Sequence, residues 1–224
     1  MSRYKLADFN EEEIDQIVGK YKKVLSDLTG KKIFAFRAGG WCMQPFSKLR
    51  AAFLKHEIYL DSSVFRNGYF VTDNYDYDFR TAPDKDIYNF EHDPVVESPG
   101  AYFTELPISA IRNSPLFFWK LFFLGRKDPY MHKPLGDGQA MAAPGYRKKL
   151  LTRFTNNPVS MDGYNSRLLE KALKAQEKKG FNHMVVIGHP KALSRFSIKM
   201  IEEFVIANKE KNRFSTYSSQ FLVK

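Results

Sequence analysis

Four polar residues stand where a chain of alternating strands and helices gathers its chemistry: Arg37, Asp61, Asp162 and His189. Arg37 follows the apolar run 33–36 and opens Arg37-Ala38-Gly39-Gly40-Trp41, whose glycines permit a sharp turn. Asp61 lies inside the run 58–65, Asp162 follows 159–161, and His189 follows 183–187 in Gly188-His189-Pro190. Carboxylates and an imidazole exchange protons, and a guanidinium stays charged and can orient them. In barrels built from alternating strands and helices, the loops after the strands form the site. Any polar residue at a strand end fits that rule, so each has a plainer reading. Arg37 can pair with a carboxylate at a strand end, Asp162 can cap the helix after it, and His189 can be a satisfied structural histidine.

Other chemistries lack their residues. Cys42 is the one cysteine, so no intrachain disulfide or Cys-rich zinc cluster can form. The histidines are His56, His92, His132, His183 and His189, and no His-x-x-x-His occurs. His92 and Asp93 could form a replacement metal pair, but adjacent side chains usually point apart, and a surface turn is the favoured reading. His132, in a Pro/Gly-rich loop, reads the same way. Gly136-Asp137-Gly138 is a turn, and neither the phosphate-loop nor the dinucleotide pattern is present.

The elements that must position these residues follow from periodicity. Asn10 with Glu13 forms a capping-box pattern. Ile14, Ile17, Val18, Tyr21, Val24, Leu25 and Leu28 then repeat at helical spacing up to Gly30. A strand is predicted at 33–36, a helix at 46–56 with Phe46, Leu49 and Phe53 inward and Leu54 as a further candidate, and a strand at 58–65. Residues 66–158 are less regular, with a strand at 101–108 and an aromatic run at 116–124. Periodicity returns with strand-like 159–161, a helix at 166–179, a strand at 183–187 and a helix at 198–208. This order predicts an α/β chain of parallel strands joined by crossover helices. Residues 33–36 should lie beside 58–60.

At 224 residues the chain fits one domain over 1–224, and its 43% hydrophobic content supplies a core. The net charge of +10 invites a nucleic-acid reading. The lysines, however, spread over solvated helix faces (Lys20, Lys22 and Lys23; Lys171, Lys174, Lys178 and Lys179), which argues against a nucleic-acid tract. An anionic glycan or a membrane surface would be attracted equally. Residues 1–30 carry no signal-peptide core, and the run 116–124, interrupted by Lys120, is too short to span a bilayer. A cytoplasmic location without a transmembrane segment is therefore expected. The aromatic run reads as buried or partner-covered, with membrane contact as the alternative.

Several of these pieces together resemble a known family. Arg37-Ala38-Gly39-Gly40-Trp41, a helix, and then Asp61-Ser62-Ser63-Val64 look like the Arg turn and the Asp-Ser-Ser-Val of polysaccharide deacetylases, the NodB-homology family. Glu105-Leu106-Pro107 resembles its Glu-Leu-Pro segment. The stretch His183-Met184-Val185-Val186-Ile187-Gly188-His189-Pro190 resembles the strand that delivers its late histidine. The likeness is to the subgroup of bacterial surface-polysaccharide biosynthesis, and four pieces in order cover most of the chain.

The resemblance implies an incomplete or distorted (β/α) barrel and hydrolysis of N- or O-acetyl groups from a sugar. It implies that Arg37 orients a base, that His189 protonates the leaving group and that Asp162 is the histidine's partner. Gly40 would offer an oxyanion-binding N–H, and Gly40 and Trp41 would face an acetylated oligosaccharide or polysaccharide. The aromatic faces of the Tyr75–Phe79 cluster, Tyr75 and Tyr77 among them, could stack on sugar rings, with a packed or turn-forming role as the alternative. The family uses zinc or another divalent metal, held by an Asp and two His residues that precede the helix beginning at Asn10. Met1 to Phe9 hold no histidine, so no metal ligand and no cofactor are expected of this chain alone. Activity would need the missing motifs, on a partner segment or elsewhere, and a homo-oligomer is also open. A carbohydrate-binding or interaction protein on a degenerate deacetylase fold is the alternative.

Overall fold

The computed structural model describes residues 3–72, 75–137 and 146–222. The chain divides into two compact units, Met1–Ile108 and Ser109–Lys224, where the sequence reading treats 1–224 as one domain.

In the first unit, helix α1 (Glu11–Thr29) starts at Asn10, whose side chain accepts the Glu13 N–H while the Glu13 carboxylate accepts the Asn10 N–H. Two of the helix's orphan donors are thereby satisfied. The helix stops at Gly30, which takes the left-handed conformation at φ 65°. Burial is confined to Ile14 and Val18, and the helical repeat continues through Tyr21, Val24, Leu25 and Leu28 as an exposed stripe. Strand β1 (Ala35–Phe36) leads through the Gly39–Trp41 turn to α2 (Ser47–Lys55) and β2 (Leu60–Asp61). Helix α2 buries Leu49, Ala52 and Phe53.

The β1–α2–β2 connection gives a parallel pair, with Ala35 beside Leu60 and Phe36 beside Asp61. After the hairpin β3 (Tyr69–Val71) and β4 (Asp76–Asp78) come β5 (Tyr88–Phe90) and β6 (Phe103–Glu105). Strand β6 joins β2 in parallel and β5 closes the edge antiparallel, so the sheet order is β1-β2-β6-β5. Beneath it Phe46 meets Phe90, Phe103 and Phe53 edge-on at centroid distances of 5.0, 4.9 and 5.8 Å.

The second unit opens with β7 (Ala110–Asn113), then α3 (Pro115–Lys127), α4 (Pro129–His132), α5 (Tyr146–Thr152) and β8 (Thr155–Pro158), which pairs antiparallel with β7. Helices α6 (Leu169–Glu177), α7 (Arg195–Asn208) and α8 (Tyr217–Phe221) complete it. Ile111, Val159, Leu169 and Ala172 form its core, with Met184, Val186, Ile201 and Phe204 packed around them. Residues 183–187 make a single bridge, at Ile187, in place of the full strand expected there. Residues 159–161, expected to be strand-like, make one parallel bridge, Ser160 to Ile187. The longer strand lies just before them in the polar Thr155–Pro158, where pairing with β7 outweighs the poor strand propensity of Asn and Pro. The fold is mixed α/β, and no closed barrel forms among the described strands.

Candidate functional site

Two clusters occupy strand ends, one in each unit. In the first unit, register places Phe36, Asp61 and Glu105 in one row across β1, β2 and β6. The residues that follow this row form the carboxyl-end rim of a parallel sheet. Arg37, one step beyond Phe36, donates from Nε to the Ser62 carbonyl at 2.8 Å and from Nη2 to the Ser62 hydroxyl at 3.0 Å. The Ser63 hydroxyl accepts the Ala38 N–H at 2.8 Å and donates to Asp61 Oδ1 at 2.7 Å. Asp-Ser-Ser is therefore the clasp that fixes the Arg turn.

Behind the clasp Asp61 and Glu105 are both buried. Glu105 Oε1 accepts the Val64 N–H at 3.2 Å, while Oε2 is buried without a hydrogen-bond partner. Burial, and next the charge of Asp61, push the Glu105 carboxyl well above the ordinary glutamate range. Burial also raises Asp61, against the opposing pull of Glu105 and Ser63. Two carboxyls in this space disfavour ionising together, and burial with the charge of Asp61 makes Glu105 the one that holds its proton to higher pH. The sequence reading placed Glu105 only in the Glu-Leu-Pro likeness. An acidic residue between Phe103 and Leu106 was the available signal for a buried carboxyl.

The Arg turn itself is packed. Gly40 has φ 60°, and a Cβ there would come within 2.7 Å of the Tyr75 ring. Only glycine meets both conditions. The Tyr4 hydroxyl donates to the Tyr75 hydroxyl at 2.9 Å. Burial and this contact push the Tyr4 hydroxyl up to about 12. Trp41 meets Phe65 and Tyr77 edge-on at 5.4 and 5.9 Å. Tyr77 is buried and stacks on Phe79 at 5.1 Å. Tyr77 thus packs inside the unit instead of presenting a ring face for sugar stacking.

In the second unit the parallel bridge between Ser160 and Ile187 sets the geometry. Met161 N–H donates to the Ile187 carbonyl at 2.8 Å and Ile187 N–H donates to the Val159 carbonyl at 3.0 Å. Asp162 and His189 each lie two residues past a bridge partner, so they emerge side by side. Gly188 allows the approach, since a Cβ would sit 3.0 Å from Met161 Cε. Asp162 then grips His189 twice. Its Oδ1 accepts the His189 backbone N–H at 2.7 Å, and its Oδ2 meets ring Nδ1 at 2.7 Å. A carboxylate can only accept, so Nδ1 carries a hydrogen and Nε2 is left to exchange a proton. The His189 side chain is 58% exposed, open to a partner molecule.

Arg37 thus belongs to the first cluster, and Asp162 with His189 to the second. Among the other histidines, His56 pairs with Asp15 at 2.8 Å in the first unit and His132 packs on Phe196 at a centroid distance of 4.7 Å in the second. His92 is exposed beside Asp93, whose Oδ1 accepts the Val95 N–H at 3.1 Å in a turn. Among the described residues no group of three His, Cys, Asp or Glu side chains is placed to hold a metal ion. Comparison of the chain with protein-family models, curated proteins and solved structures yields no match.

Proposed function

We propose that this chain is a polysaccharide deacetylase-like protein of bacterial surface-polysaccharide metabolism, on an incomplete or distorted (β/α) barrel. The two-handed grip of Asp162 on His189 is the observation that supports this reading most directly. A histidine whose Nδ1 is bound by a carboxylate is held in one ring orientation and one tautomer. Its exposed Nε2 is suited to deliver a proton to the amine or alkoxide leaving an acetyl group. In the first unit, Arg37 is clamped by Ser62, which fixes its positive charge at the end of β1. No His-x-x-x-His occurs in the sequence, so on this reading hydrolytic activity is either lost or depends on metal-holding residues from another segment or chain.

Acetate release from acetylated oligosaccharides, with zinc present, tests the reading. The 224-residue chain alone is expected to release none. The same chain joined to a deacetylase segment bearing Asp-Asp and His-x-x-x-His is expected to release acetate, and His189→Ala should lower that rate by about 100-fold or more. Zinc-dependent release by the chain alone overturns the incomplete site. Saturable glycan binding without release by the completed protein favours a carbohydrate-binding protein.

A further inference from the structure

Helix α3 reads Pro-Leu-Phe-Phe-Trp-Lys-Leu-Phe-Phe-Leu-Gly-Arg-Lys, and only Phe118 is buried. Leu116, Trp119, Phe122 and Phe123 are exposed at helical spacing, Leu116 by 76% and Phe123 by 61%. The rings form a continuous surface: Trp119 stacks on Phe123 at 6.0 Å and meets Phe122 edge-on at 5.9 Å. The Trp119 Nε1–H donates to the Leu151 carbonyl at 3.0 Å, which ties this surface to α5. The two helices of the patch carry positive charge. Lys120, Arg126 and Lys127 lie on α3 and Arg147, Lys148 and Lys149 on α5, and neither helix contains an acidic residue. The Arg126 guanidinium sits 3.4 Å over the Phe122 ring centroid, placing charge directly on the aromatic face. Asp128, the first carboxylate beyond α3, is occupied as the cap of α4, accepting the Met131 N–H at 3.2 Å.

We propose that α3, backed by α5, docks this protein on the surface of an anionic lipid bilayer. Leu116, Trp119, Phe122 and Phe123 enter the boundary between headgroups and acyl chains, and the lysines and arginines meet lipid phosphates. Charge complementarity selects this occupant. Protein–protein interface cores are depleted of lysine, whereas helices that lie in a membrane interface join Trp, Phe and Leu to a Lys/Arg-rich surround. No helix among the described residues is long and apolar enough to cross a membrane, so α3 lies on the bilayer and does not span it.

Flotation of the full chain tests this with vesicles of phosphatidylcholine alone and of phosphatidylcholine mixed with phosphatidylglycerol. The anionic vesicles should carry at least about tenfold more protein, and added salt should reduce the difference. The exposed double substitution Leu116→Ser/Phe123→Ser should lower binding by about tenfold or more without changing the circular-dichroism spectrum. Lys120→Glu/Lys127→Glu, which leaves the apolar face intact, should lower it to a similar extent. Failure to float with either vesicle overturns the proposal, as does binding that neither pair of substitutions alters. Self-association abolished by Leu116→Ser/Phe123→Ser, with no vesicle binding, assigns the face to a second copy of the chain and also overturns it.

Discussion

The raised carboxyl of Glu105 has a consequence for stability. In the unfolded chain it loses its proton near its ordinary value of 4.5, whereas in the folded protein burial and Asp61 hold the proton to higher pH. The folded state therefore binds more protons above that value, and stability falls as pH rises until folded Glu105 ionises. Each retained proton contributes a slope of about 1.4 kcal/mol per pH unit. Glu105→Gln keeps an acceptor for the Val64 N–H and cannot ionise, so urea midpoints followed upward from about pH 5 should decline less steeply in the variant. An unchanged decline would move the proton uptake to another group. The Asp162–His189 pair is read by a different probe. Asp162→Asn removes the charged acceptor at Nδ1, and nitrogen NMR of His189 should show loss of the single Nδ1–H form. A His189 spectrum identical in wild type and variant would mean that Asp162 does not set the tautomer.

At the scale of elements, the local signals were legible and the long-range ones were not. Asn10, Glu13 and Gly30 marked both ends of α1 because caps act within one turn, and the structure uses all three. Asn10→Ala should cost about 1 kcal/mol in thermal or urea unfolding, and a loss indistinguishable from zero would remove the cap from the account. The pairing of 33–36 with 58–60 was also legible, since a strand–helix–strand unit has one favoured arrangement. Strands β3, β4 and β5 are three residues long, too short for alternation to register, and their edges are set by partners distant in sequence. Strand β8 contains two asparagines and a proline, and only its pairing with β7 makes it a strand. The aromatic run was read as buried or partner-covered, with membrane contact as the alternative. The chain itself leaves most of it exposed, which removes burial and leaves the other two readings, because periodicity cannot show which face of a helix finds a neighbour. The sites divide the same way. Arg37, Asp162 and His189 were visible as polar residues after strands, whereas the Asp61–Glu105 contact needs the β2–β6 register, which no local pattern encodes. The Arg turn offers a direct check. Gly40→Ala must hold φ 60° and displace the Tyr75 ring, and should destabilise the protein by about 1–3 kcal/mol.

At the scale of the whole molecule, the division after Ile108 determines what each half must supply for itself. The first unit contains every strand of the four-stranded sheet, both helices that pack with it and a self-contained apolar cluster. That cluster joins Ile14 and Val18 of α1 to Leu49 and Phe53 of α2, with Phe46, Phe90 and Phe103 at its centre. A unit with its own core and complete sheet meets the requirements for independent folding. Residues 1–108 expressed alone should therefore unfold in one cooperative transition, seen at the same temperature by circular dichroism and by tryptophan fluorescence from Trp41. Phe46→Ala removes the ring that meets Phe53, Phe90 and Phe103 edge-on, and should cost about 3–5 kcal/mol in the fragment. Two failures have different meanings. A fragment that gives no cooperative transition shows that the sheet depends on residues beyond Ile108. A folded fragment insensitive to Phe46→Ala shows that its stability rests on contacts other than the aromatic centre, because deleting a ring with three aromatic partners must otherwise leave a cavity that the surrounding strands cannot close.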